Sequence, residues 1–160
     1  MKNNHKFWIV VGILAFFHFG LHLGLGLGSN APDLLAVALL ISIRELDIGA
    51  GSCLGFLFGI MEDAFSVLAF GANAFAFTVI GIIGSKTRNL FVGDSLGFMA
   101  VYLFLGKWCK DFLHWIVAGE SLRGSFIDVM LVGSSLAAVY AASVGLIVIV
   151  VSGIGWDTVR

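Results

Sequence analysis

The chain has 160 residues, 59% of them hydrophobic and only 12% charged, with a mean hydropathy of +1.04 and a formal net charge of −1. A soluble domain carries about a quarter charged residues, so a chain this apolar cannot cover its own surface in water. The length allows one domain, no block of like charge offers a seat for nucleic acid, and Cys53 and Cys109 make no disulfide framework. The composition therefore points to an all-α integral membrane protein, a transmembrane helix bundle occupying residues 1–160.

Residues 7–27 form the first apolar run, behind a basic start at Lys2 and Lys6. The run exceeds the roughly 7–15 residues of a signal-peptide core, so it reads as a membrane helix that stays. Residues 34–43 are a short second run, opened by Ala31-Pro32-Asp33 and closed by Arg44, Glu45 and Asp47. Pro32 suits a first turn, and Asp33 there favours the helix dipole. Residues 49–84 are apolar apart from Glu62, Asp63 and a few small polar side chains. As one helix they would be roughly 54 Å long, too long for one crossing. The chain is expected to turn between Glu62 and Asn73, leaving runs at 49–61 and 72–84. A fifth run covers 90–105 and a sixth covers 126–152, long enough to span with tilt.

Six crossings put both termini on one side. Lys2, Lys6, Arg44, Lys86, Arg88 and Arg160 then share that side, against Lys107, Lys110 and Arg123 on the other. The positive-inside rule makes the termini cytoplasmic and places Glu62, Asp63 and Glu120 outside. The middle runs are short for full crossings and are expected to be tilted, re-entrant or shielded by neighbours.

Four patterns are candidates for function. Gly51, Gly55 and Gly59 recur every four residues, and Gly20, Gly24 and Gly28 do the same in the first run. Small residues at this spacing let another backbone come close. The occupant is either another helix of this chain or the membrane helix of a partner. His18 and His22 share a helix face, where ionisable groups at membrane depth are functional candidates. An interhelical hydrogen-bonding role is the simplest reading. A metal would need a third ligand that the spacing does not supply. Glu62 and Asp63 are adjacent and read as a solvated helix end or as a partner contact, with no nucleophile beside them for catalysis. Lys107, Lys110, Asp111 and His114 form one polar stripe, expected to be an outward-facing amphipathic extension of the fifth helix. Its functional alternative is a docking surface for an extracytoplasmic domain. No catalytic constellation, metal motif or cofactor loop is evident. A vitamin-binding membrane subunit remains as the alternative class, although the apolar walls show few of the convergent polar groups that ligand pockets use.

Three stretches in order resemble the rod shape-determining MreD family. They are Ala31-Pro32-Asp33-Leu34-Leu35; Gly51 with Gly55-Phe56-Leu57-Phe58-Gly59 running to Glu62-Asp63; and Gly71-Ala72-Asn73-Ala74-Phe75-Ala76-Phe77-Thr78 with Val79-Ile80-Gly81, Lys86 and Arg88. The resemblance covers the whole chain. It implies a non-enzymatic inner-membrane scaffold of the cell-elongation machinery, without a cofactor, working in membrane lipid beside a bitopic coiled-coil partner similar to MreC. It also implies association with the MreB filament, a RodA-type glycosyltransferase and a penicillin-binding transpeptidase, and a fold like the six-helix substrate-binding subunit of energy-coupling-factor vitamin transporters. Under it, the glycine stripes are candidates for packing the partner's helix. Asp33, Glu62, Asp63, Asn73, Lys107, Lys110, Asp111 and His114 are candidates for polar contacts.

Overall fold

The structure, a computed structural model, describes residues 4–21, 32–66, 69–87, 95–118 and 125–153. These residues are helical, with no strand among them: α1 Asn4–Phe19, α2 Leu34–Ser42, α3 Ile48–Asp63, α4 Ala72–Thr87, α5 Leu96–Val117, and a π-helical segment Ile127–Ser134 that runs directly into α6 Ser135–Ser152. Ile127–Ser152 is the one described helix long and apolar enough by itself to cross a membrane.

Local chemistry sets the ends. Asp33 accepts a hydrogen bond from the Ala36 N–H, capping α2, and Asp47 caps α3 through Ala50. Ser95 caps α5 through Phe98. Side-chain acceptors of this kind satisfy donors that a first helical turn leaves unpaired. Gly153 ends α6 in the left-handed conformation, φ 68°, which glycine adopts without a Cβ penalty.

Every residue of α2 is buried. A helix apolar all round belongs in a core, and α2 is the core of this bundle, with α1, α3, α4, α5 and α6 packed about it. Tyr102 of α5 donates its hydroxyl to the Leu40 carbonyl, and Arg44, just past α2, reaches Met99 of α5. α1 turns Phe7, Val11, Leu14 and His18 inward, the helical repeat of a single face. Its other face exposes Ile9, Ile13, Phe16 and Phe17. Large apolar side chains also stand outward on α3, α4, α5 and α6, among them Phe56, Phe75, Val101, Leu136 and Ile147.

The direction of the chain alternates. The end of α1, the start of α2, the end of α3, the start of α4 and the second half of α5 meet at one level, through His18, Asp33, Glu62, Asp63 and Lys110. At the opposite end, Gly51 near the start of α3 lies against Ser85 near the end of α4.

Candidate functional site

The α3–α4 seam accounts for one glycine stripe. A Cβ on Gly55 would overlap the Phe77 carbonyl, one on Gly59 would overlap the Ala74 backbone, and one on Gly51 would meet Ser85. Gly81 of α4 returns the contact against Gly51. The stripe at Gly51, Gly55 and Gly59 is therefore filled by this chain's own α4 and is not open to a partner's helix. Gly20 differs: a Cβ there would meet nothing within 4 Å. Gly24, Gly28 and His22 lie outside the described residues.

The polar candidates converge inside the bundle. Lys110 Nζ lies 3.0 Å from Asp33 Oδ2 and 3.2 Å from Glu62 Oε1, and it stands 4.7 Å from the centre of the Phe77 ring. Lys107 pairs with Asp111 one turn on and lies 3.3 Å from Asp33 Oδ2. Lys107 and Lys110 are each only 5% exposed. The Lys107, Lys110, Asp111 and His114 stripe thus corrects the expectation of an outward collar. It faces inward because two carboxylates, carried there by α2 and α3, are available to pair with its cations. Buried charges persist where they are paired and hydrogen-bonded.

Glu62 and Asp63 also depart from the reading of a solvated helix end. Asp63 is 1% exposed. Its carboxylate accepts from the Gly71 and Ala74 N–H groups at 2.9 Å and from the Asn73 N–H at 3.1 Å. Three donors at the start of α4 meet one anion there, where the helix dipole favours negative charge. Asp63 thereby fixes the α3–α4 turn, and Gly71, at φ 95°, supplies the left-handed bend that presents its N–H. Adjacent residues on a helix point about 100° apart, so Glu62 faces Lys110 while Asp63 faces α4.

His18 enters the same place from α1, 2% exposed. One ring nitrogen of His18 and one carboxylate oxygen each of Asp33 and Glu62 lie within 4.8 Å of one another. Those donor types suit a divalent cation, and the bundle supplies the extra ligands that the sequence spacing lacked. Lys110, however, already pairs with both carboxylates, so the described side chains form an ion-pair network at this place. Four separate elements contribute to it, and polar groups do converge within walls that read as apolar in the sequence.

No family model matches this chain, and neither a curated protein nor a solved structure does.

Proposed function

We propose that the chain is a six-crossing inner-membrane scaffold whose first helix receives the single membrane helix of a bitopic, MreC-like partner. The observation that carries the membrane half of this reading is the outward apolar surface. Phe16, Phe17, Phe56, Phe70, Val101, Leu136, Ile147 and Val151 are all at least 50% exposed, far more apolar surface than a soluble monomer presents. In lipid these side chains are at home. The alternating helices place Lys6, Arg44 and Lys86 at one end, which the positive-inside rule makes cytoplasmic together with both termini.

The partner half rests on the resemblance to MreD and on Gly20. With the stripe at Gly51, Gly55 and Gly59 closed by α4, Gly20 is the described member of the α1 stripe where a second backbone can approach. Association there is driven by packing contacts, since lipid tails remove the hydrophobic incentive. As a scaffold the chain performs no chemistry. It holds the partner, and through it the MreB filament, the RodA-type glycosyltransferase and the penicillin-binding transpeptidase, at one site of wall synthesis.

The test is co-purification from native membranes in mild detergent with Gly20→Leu. Loss of a bitopic coiled-coil protein, with normal membrane levels of the variant, supports the reading. Unchanged recovery removes α1 from the interface.

One observation favours a second reading. The converging His18, Asp33, Glu62 and Lys110 supply the polar groups that a substrate-binding transporter subunit would need. Recovery of a coupling subunit with ATPases in the same experiment would select it.

A further inference from the structure

Among the described residues, this largely buried network is one positive charge short. Asp33, Glu62 and Asp111 bring three carboxylates to it, and Lys107 and Lys110 bring two ammonium groups. Asp63 adds a fourth carboxylate next door, held by the N-terminus of α4. Excess charge is costly in a site enclosed by apolar helices, and the cheapest remedy available to a side chain is a proton. Glu62 Oε1 accepts from Lys110, while Glu62 Oε2 is buried with no hydrogen-bond partner among the described residues. The His18 ring nitrogen lies within 4.8 Å of Glu62 and Asp33 oxygens. We propose that the network is a proton-binding site, in which one exchangeable proton is shared between His18 and Glu62 and ties α1 to the bundle.

α2 contributes Asp33, which Lys107 and Lys110 both pair. α3 contributes Glu62 and Asp63. α4 brings no charged side chain to this level, only Asn73 and the Phe77 ring. α5 contributes Lys107, Lys110, Asp111 and, one turn further on the same face, His114. α6 brings none among its described residues. Among the described residues, His18 and Glu62 are thus the pair placed to exchange the proton, and they stand on different helices. With the proton on His18, the imidazolium and the two carboxylates draw the end of α1 against α2 and α3. Without it, that attraction is lost and a net negative charge remains.

This assignment is independent of which partner the chain binds. It is tested with the full chain in lipid nanodiscs, labelled with 15N-histidine, from pH 5 to 8.5. The charged imidazolium signature is expected at His18 at pH 6, and in Glu62→Gln, which removes the excess negative charge, His18 is expected to be neutral at that pH. If the proton ties α1 to the bundle, the melting temperature falls as the pH rises through the His18 titration. That fall should vanish in both Glu62→Gln and His18→Gln. A neutral His18 throughout the range in the native protein, or the charge residing on His114 instead, overturns the proposal. The native spectrum decides this even if a variant does not fold.

Discussion

Lys110 is held between Asp33 and Glu62 and over the Phe77 ring, so its ammonium serves three other helices at once. Lys110→Met leaves Glu62 without its cation beside Asp33, which keeps Lys107. Breaking a buried pair in this way costs about 3–5 kcal/mol, and equilibrium unfolding in detergent micelles is expected to lose stability on that scale. Adding Glu62→Gln should recover part of the loss, because one uncompensated charge is gone. Asp63 makes a separate case. Asp63→Ala strands three N–H groups at the start of α4 and is expected to cost about 1–3 kcal/mol, with Asp63→Asn, which keeps an acceptor oxygen, costing less; thermal unfolding of the two variants side by side checks this. The sequence makes part of this site legible. Asp33 reads as a helix start from Ala31-Pro32-Asp33, and Lys107, Lys110, Asp111 and His114 read as one face. Which way that face points does not, because the pairing carboxylates are 77 and 48 residues from Lys110. A stripe of mixed charge has the same spacing whether it meets water or anions from other helices.

The α3–α4 seam belongs to the scale of elements. Gly55→Ala puts a methyl group on the Phe77 carbonyl, and relief requires moving one backbone from the other. Overpacking of this kind typically costs about 1–3 kcal/mol, so the variant should melt well below the native protein. Gly12→Ala, with nothing within 4 Å of its Cβ, should melt where the native protein does. The two glycine stripes have the same spacing, and spacing alone does not say which is already filled. The turn between α3 and α4 is more legible, since Glu62 to Asn73 gathers charge, Gly71 and small polar residues in an otherwise unbroken apolar stretch. α2 is legible as a short helix but not as the core. A run without polar residues has no period, hence no face, and only its neighbours reveal that all its sides are covered. Residues 126–152 read as one helix, but nothing in their composition marks Ile127–Ser134 as π-wound.

For the molecule as a whole, the proposed even number of crossings predicts that tags at both ends are protected from added protease in intact spheroplasts and are cut once the membrane is opened. Cleavage of one tag alone in intact spheroplasts would show an odd number. The charges at Lys107 and Lys110 no longer count toward this orientation, because they are enclosed in the bundle and not displayed in a loop. α2 has a last consequence for how such a protein is made. Nine helical residues rise about 13.5 Å, less than half of a hydrocarbon layer about 30 Å thick. On the membrane reading proposed above, a translocation channel that offers segments to lipid one by one would find little in α2 to retain. It therefore has to enter as the middle of a unit with α1 and α3, and its remaining sides stay bare until the ribosome has delivered α5 and α6. The centre of the finished protein is thus the piece of the newborn chain that depends most on what is synthesised after it.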